Sequence, residues 1–205
     1  HLHSDLVVSL AGVPLGVVAQ QHWQRAPDAP GRQTRRQRAT AEKESQRWLT
    51  GLTLGEVAIP ETCRVVMVAD READIYDLFA QPRRPRSDWL IRATQDRRVA
   101  VAADAAASAV AAAPASLLAS LAAAPLAGHT TVTVPRGRGR PARTATLALR
   151  FQAVTVRPPR ARAAQATLPS VPVWAVLAEE VDAPEGVAPI HWLLQTMIVL
   201  GTFLA

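Results

Sequence analysis

The stretch RVVMVADREADIYDLF, residues 64–79, has the pattern of a buried strand that runs directly into a helix. Its first part is rich in β-branched residues, and Val65, Val66 and Val68 are typical of a strand covered on both faces. The strand ends in the carboxylate of Asp70. In open α/β sheets the carboxyl end of a strand is where ligands and metals bind, because the strand fixes the side chain beside an open crevice. The stretch therefore predicts an α/β sheet with a candidate functional carboxylate at its edge.

The residues after Asp70 predict one amphipathic helix over Arg71–Phe79. Its buried stripe would consist of three apolar side chains: Ile75, Leu78 and Phe79. Asp70 is also a favourable N-cap for such a helix, which is an alternative that needs no ligand. Glu72 and Asp74 are interpreted as first-turn residues that complement the helix dipole.

The composition narrows the class of protein. The chain has 205 residues and a formal net charge of +6, and Lys43 is the sole lysine in the sequence, so the basic residues are almost all arginine. Arginine presents a planar fork suited to phosphate, which fits a nucleic-acid partner, although the codon bias of a GC-rich genome would also produce it. A single cysteine, Cys63, provides neither a disulfide framework nor a cysteine metal cluster. Without a run of roughly 18 apolar residues or a signal peptide, a cytoplasmic location is expected.

Upstream of the Asp70 strand the sequence predicts a hairpin, a polar loop and a helix. His3–Leu10 and Pro14–Trp23 are rich in valine and leucine and flank the turn signal Ala11-Gly12, which favours a β-hairpin. Gln24–Ala41 carries prolines, a glycine and five arginines. It is either a solvated linker or an exposed loop that lies along a polyanion. Glu42–Leu52 has a helical pattern.

Downstream the sequence is richer in strands. Trp89–Thr94 is a short apolar strand that ends near a predicted basic cluster of Arg92, Arg97 and Arg98. The alanine-rich segment 100–127 is predicted to be helical from propensity alone. An antiparallel β subdomain is predicted from alternating segments. These are His129–Val134, Thr144–Val156 and Val171–Glu180, followed by His191–Leu200, which fits either a strand or a helix.

A series of short motifs, each present once, extends along nearly the whole chain. They are HS at 3–4, GVPLG at 12–16, EKES at 42–45, DREADIY at 70–76, WLIR at 89–92, GRPARTA at 139–145 and PIHWLL at 189–194. Together they resemble the bacterial DDE transposases of the insertion-sequence-four family. The agreement of several separated motifs makes this resemblance more specific than any one of them.

The resemblance implies an α/β fold, a ribonuclease-H-like mixed sheet with an inserted antiparallel β subdomain. Residues 1–99 would form part of the catalytic core, and residues 100–186 would form the alanine-rich helix and the inserted β subdomain. Residues 187–205 would return to the core. In this fold we expect the first strand, before His3, and the last helix, beyond Ala205, to be missing.

The resemblance also implies cut-and-paste DNA transposition. DDE enzymes use three carboxylates to hold two Mg²⁺ ions, which activate water or a DNA 3′-hydroxyl and stabilise the leaving oxygen. Asp70 corresponds to the second carboxylate, and the other two have no counterpart here, so the chain is expected to be inactive alone. Arg92 corresponds to a DNA-backbone contact, with a surface salt bridge as the alternative. Trp192 corresponds to a tryptophan that interacts with a displaced base, with a core position as the alternative.

The expected partner is DNA at transposon ends, at the bacterial nucleoid, and the resemblance leaves open a homodimer in the synaptic complex. A different reading is a non-catalytic DNA-binding remnant held by arginine–phosphate contacts. Its DNA affinity would fall steeply with salt, without magnesium-dependent nicking. A nucleotide-dependent α/β protein with Asp70 on a ribose is disfavoured, because no glycine-rich turn follows an earlier strand.

Overall fold

A computed structural model describes this chain as a mixed α/β protein with a multi-stranded sheet and few helices, which confirms the predicted fold class at that level. The described residues are 1–24, 45–101, 115–137, 141–160 and 168–200. The predicted arginine-rich loop, the start of the Glu42 helix and most of the alanine-rich segment lie outside them. The chain divides into two compact units. The first unit is His1–Val68 with Ile75–Trp89, and the second is Ala69–Asp74 with Leu90–Ala205.

The first unit begins with the predicted hairpin. Strands β1 (Leu2–Val8) and β2 (Pro14–His22) pair antiparallel. In the turn between them Gly12 has a φ of 78°, a left-handed backbone conformation that glycine adopts without steric cost. On one face of β1, His3 and Asp5 are partly buried with 3.2 Å between His3 Nε2 and Asp5 Oδ1.

The predicted helix before the Asp70 strand is longer than expected. Helix α1 (Gln46–Ala58) continues past Leu52, which is buried, and ends before Pro60. The prediction of an end at Leu52 is therefore wrong. Proline disfavours helical backbone at the residue before it, and no earlier residue in this segment interrupts the helix.

Helix α1 packs on the hairpin through small and aromatic residues. The rings of Trp48 and His3 meet edge to face with 4.6 Å between their centroids. Gly51 lies against the carboxylate of Asp5, where a Cβ would be 2.6 Å from Oδ2. A side chain at this position would collide with the carboxylate, so glycine permits the close approach.

Strand β3 (Val65–Ala69) is the strand predicted from the opening stretch, and Asp70 follows its last residue as expected. The prediction that this strand is covered on both faces is wrong. Val65 and Val66 are half-buried, but Val68 is 72% exposed. A run of valines fits a pleated strand whether one face or both are covered, because the packing partners are not encoded in the run itself.

The single helix predicted over Arg71–Phe79 is wrong. The chain forms a short 3-10 helix (Arg71–Ala73), leaves helical geometry at Asp74, where ψ is 67°, and resumes as helix α2 (Tyr76–Ala80). Leu78 and Phe79 are nevertheless buried, as the apolar stripe predicted. The break occurs because the Asp74 side chain bonds to a later segment of the chain.

Strand β4 (Ser87–Arg92) follows α2 and lies beside β3 in the sheet. Its Trp89 ring is buried and stacks on Phe79 with 4.7 Å between centroids. The N–H of Val65 donates to the carbonyl oxygen of Arg86 at 2.9 Å. Since β4 continues onward from Arg86, β3 and β4 begin side by side and run in the same direction.

The second unit contains a sheet whose strands run in the order β4-β10-β9-β8-β5-β6, with β7 also paired to β8. The pairings of β10 with β4 and β9, and of β8 with β5, β7 and β9, are antiparallel. Its further strands are β5 (Arg98–Val101), β6 (Ala115–Ser116), β7 (Leu126–Val134), β8 (Arg143–Val156), β9 (Val171–Val181) and β10 (His191–Thr196). The three predicted alternating strands are confirmed, and the last apolar segment forms a strand over its first part.

Helix α3 (Leu117–Ala123) covers part of this sheet. Its N-cap is Ser116, whose hydroxyl accepts a backbone N–H of the first turn, and Leu117 and Leu121 are fully buried. From Leu126 onward the chain is strand, so the predicted helix does not reach residue 127. Among the described residues, no helix has the length and apolar character needed to cross a membrane.

Candidate functional site

Asp70 is exposed at the carboxyl end of β3. Its Oδ1 accepts the backbone N–H of Glu72 at 2.9 Å, so Asp70 caps the short 3-10 helix. The capping alternative is therefore present in the structure. A carboxylate has two oxygens with about four lone-pair sites, and one capping bond does not prevent the group from binding a cation.

Arg92 is the last residue of β4, and its side chain is exposed. The hydrogen bond between Val65 and Arg86 aligns Val65 with Ser87. If this parallel alignment is followed forward along both strands, Asp70 comes opposite Arg92 on the same face of the sheet. This alignment places a carboxylate and a guanidinium at the same end of the sheet, each at the carboxyl end of its strand.

Trp192 lies on the same face as Arg92. Leu194 of β10 is opposite Arg92, and residues two apart on a strand point to the same side. Trp192 is half-buried. It packs against a small buried cluster of Ala145, Leu147 and Ala178. Part of the Trp192 side chain therefore belongs to the core, as the alternative interpretation expected, and the rest of it remains at the surface.

Asp74 has a role that the sequence interpretation missed. The residue is 4% exposed, and its carboxylate does not serve the helix dipole, so that interpretation is wrong. Oδ2 accepts the backbone N–H groups of Thr94 at 2.7 Å and Gln95 at 2.9 Å, and the Thr94 hydroxyl at 3.2 Å. Oδ1 accepts Nη2 of Arg97 at 2.6 Å and Nε at 3.0 Å. One buried carboxylate therefore binds three residues of the loop after β4.

The predicted basic cluster of Arg92, Arg97 and Arg98 is not formed. Arg97 is buried against Asp74, and Arg98 donates through Nη2 to the carbonyl oxygen of Pro158 at 2.9 Å. Of the three side chains, that of Arg92 is the exposed one. Charge spacing in the sequence cannot show this, because a buried arginine and an exposed arginine look alike without their partners.

A second buried ion pair joins Arg143 of β8 to Glu180 of β9. Both guanidinium Nη atoms donate to the carboxylate, Nη2 to Oε2 at 2.9 Å, and the backbone N–H of Ile190 also donates to Oε2 at 2.9 Å. The hydrogen bond from Arg143 holds the pKa of Glu180 below its usual range, against the opposing effect of burial. The same bond raises the pKa of Arg143.

Within the described ranges, no group of three or more histidine, cysteine, aspartate or glutamate side chains is placed to hold a metal ion. The Asp74 carboxylate is saturated by hydrogen bonds and by Arg97, which leaves Asp70 as the accessible carboxylate of the pair. These residues do not by themselves fit a two-magnesium site, which depends on several carboxylates.

The fold and the site together define an α/β protein whose sheet carries an exposed carboxylate, an exposed arginine and a half-buried tryptophan on one face. No protein-family model matches this chain. The side chains available for a function at this face are those of Asp70, Arg92 and Trp192, and the buried pair Asp74–Arg97 lies in the loops after β3 and β4.

Proposed function

We propose that this chain carries part of the catalytic core of a DDE-type DNA transposase, with a ribonuclease-H-like sheet and Asp70 as one of the metal-binding carboxylates. The observation that supports this most is the alignment of Asp70 with Arg92 at the carboxyl ends of two neighbouring strands. A carboxylate binds hard divalent cations, and a guanidinium binds phosphate. Strand transfer on DNA requires both capacities at one place.

Each of the three residues has a role toward DNA in this proposal. Arg92 binds a backbone phosphate through its planar fork, and Trp192 offers an aromatic face to an unstacked base. Asp70 would be one ligand of the Mg²⁺ ions that activate the nucleophile in such enzymes. The described residues do not complete that magnesium site, and strand cleavage by this chain alone is not expected.

The second candidate is a non-catalytic DNA-binding remnant. The net charge of +6 and the capping bond that Asp70 already makes to Glu72 favour it. In this case the arginines attract DNA as a diffuse positive field, and Asp70 has no function beyond capping the 3-10 helix. The two candidates differ in what Arg92 and Asp70 contribute individually, which can be measured.

DNA binding is tested by fluorescence anisotropy with a labelled duplex over a range of salt concentrations. We expect Arg92→Ala to weaken binding and to reduce the salt slope by about 0.9, the effect of one lost phosphate contact. Arg136→Ala is the matched control, because Arg136 is an exposed arginine in the turn after β7. Equal losses in the two variants would instead support the diffuse field of the remnant.

The tryptophan role needs a duplex that contains a displaced base. Trp192→Leu should weaken binding to this duplex more than binding to the fully paired one, because stacking on a free base is lost. Trp174→Leu is the matched control. Trp174 is also half-buried and lies on the same face, two residues beyond the Val176 that pairs with Leu194. Equal effects of the two variants would count against the stacking role.

Metal binding is tested with Mn²⁺ as a paramagnetic probe in backbone NMR spectra. We expect Mn²⁺ to broaden the amide signals around Asp70, and Asp70→Asn to abolish the effect while preserving the cap. Asp182→Asn removes the same charge from another exposed aspartate and should leave the broadening unchanged. Broadening that persists in Asp70→Asn would remove Asp70 from the metal site and favour the DNA-binding remnant.

A further inference from the structure

We infer that Asp74 and Arg97 form a positioning pair that fixes the distance between Asp70 and Arg92. Asp70 begins the loop after β3, and Arg92 precedes the loop after β4. Asp74 ends the first loop, and Arg97 lies in the second. What Asp70 and Arg92 bind rests on the proposed function, but the geometric link between them does not.

The link is dense and involves both the side chain and the backbone of Asp74. The carboxylate takes five hydrogen bonds from residues 94–97. The carbonyl oxygen of Asp74 accepts two more, from Arg97 Nη2 at 2.9 Å and from Gln95 Nε2 at 3.3 Å. Because backbone and side chain are held at once, the first loop has little freedom to shift against the second.

Asp74 is not placed to touch a substrate. Its side chain is 1% exposed, and that of Arg97 is 5% exposed. Both carboxylate oxygens are already engaged with loop donors. Asp74 therefore acts through the loops, as a positioning residue, and Asp70 remains the carboxylate that faces solvent.

The local structure also points to positioning. A buried ion pair is costly to desolvate, and an apolar pair of similar volume often stabilises a fold as well or better. Helical structure over residues 71–79 is also interrupted at Asp74, where the side chain bonds to the second loop. What this arrangement provides is a fixed geometry of the loops, because directional hydrogen bonds specify a position that apolar packing does not.

The distance is tested by disulfide formation in a Cys63→Ser background that carries Asp70→Cys and Arg92→Cys. Opposite residues on neighbouring strands are about 4.8 Å apart, within the range that a disulfide requires. Mild oxidation with diamide should therefore cross-link the folded protein rapidly. Adding Asp74→Asn should slow the cross-linking by roughly tenfold or more, because disulfide geometry tolerates little displacement.

Glu180→Gln is the matched control, because it removes the acid of the other buried ion pair and leaves both loops unchanged. It should alter the cross-linking rate by less than about twofold, within the scatter expected for independent sites. If Asp74→Asn does not fold, Arg97→Lys keeps the charge but loses the fork that reaches both Oδ1 and the carbonyl oxygen of Asp74. An unchanged rate in the folded Asp74→Asn or Arg97→Lys variant, or equal slowing by Glu180→Gln, would overturn the inference.

A double-mutant cycle on DNA affinity connects the pair to function. If Asp74 acts by placing Arg92, the combined variant Asp74→Asn and Arg92→Ala should lose no more affinity than Arg92→Ala alone. Additive losses would contradict this. If the chain binds no DNA, the proposed function fails, and the disulfide rates still decide whether the pair positions the loops.

Discussion

Two buried ion pairs among the described residues of the second unit, Asp74–Arg97 and Glu180–Arg143, are similar in chemistry and different in what they connect. The acids Asp74 and Glu180 have side chains that are 1% and 2% exposed, and each is paired with an arginine. Arg143 lies on β8 and Glu180 on β9, two strands that a long ladder already holds in register. Asp74 instead accepts hydrogen bonds that join the loop after β3 to the loop after β4. Loss of the Glu180–Arg143 pair should therefore reduce stability. Loss of the Asp74–Arg97 pair should reduce stability and also change the relative position of the two loops.

The largest effect is expected from Asp74→Ala. The change leaves Arg97 as a buried charge without its carboxylate and removes the acceptor of two backbone N–H groups. Breaking a buried pair in this way costs about 3–5 kcal/mol of unfolding free energy. Urea unfolding followed by circular dichroism measures the loss. A value below about 1 kcal/mol would mean that the pair contributes little to the fold.

The Glu180 pair should show its effect in the pH dependence of stability. Because its folded pKa is lowered, Glu180 contributes stability that is fully present above its ordinary pKa of 4.5 and is lost as the pH falls through the lowered value. Glu180→Gln should be less stable than the wild type at neutral pH, and the difference should shrink below pH 4.5. Thermal unfolding between neutral and acidic pH measures this. A difference that is constant with pH would contradict the ionic role.

A smaller effect is expected from Thr94→Val, which keeps the branched shape and removes one hydrogen bond to Asp74. The lost bond joins the Thr94 hydroxyl to Oδ2 at 3.2 Å, while the backbone N–H still donates at 2.7 Å. We expect a loss of about 0.5–1.5 kcal/mol. Asp74→Ala in the same urea series removes all contacts of the carboxylate. The difference between the two losses of unfolding free energy is the contribution of the contacts that Thr94→Val leaves, which are those from the backbone N–H groups and from Arg97.

The smallest effect on stability is expected from Asp70→Asn. Asp70 is exposed, and asparagine is as good a cap as aspartate. The unfolding free energy should change by no more than about 0.5 kcal/mol. A larger change would indicate that Asp70 has a structural role, which would weaken the contrast between the buried Asp74 and the accessible Asp70.

The elements that the sequence predicts well are those that a short segment specifies by itself, through the spacing of its apolar residues or through a turn. The hairpin follows from its turn at Gly12, β3 from its run of valines, and β7, β8 and β9 from alternation, whereas β5 and β6 include residues of the segment 100–127 that propensity predicted to be helical. The helix over residues 71–79 fails because Asp74 bonds to Thr94 and Arg97, which are far along the chain and follow no pattern with it. The same limit applies to the basic residues, since burial of one arginine depends on a distant carboxylate.

The candidate site was predictable as residues but not as an arrangement. Asp70 could be identified from its place after a valine-rich strand, and Arg92 and Trp192 from the resemblance of their motifs. That they share one face follows from strand register, which depends on backbone pairing between separate segments. Their grouping requires the pairing of three strands that the sequence does not specify locally.

The contact between Gly51 and Asp5 limits how the first unit can be engineered. Replacing a glycine inside a helix with alanine usually adds about 0.5–1 kcal/mol of stability. At position 51 the new methyl group would meet the Asp5 carboxylate, whose other oxygen lies beside His3. Alanine at position 51 thus requires the Asp5 carboxylate to move, so the two positions, which lie on separate elements, are best redesigned together.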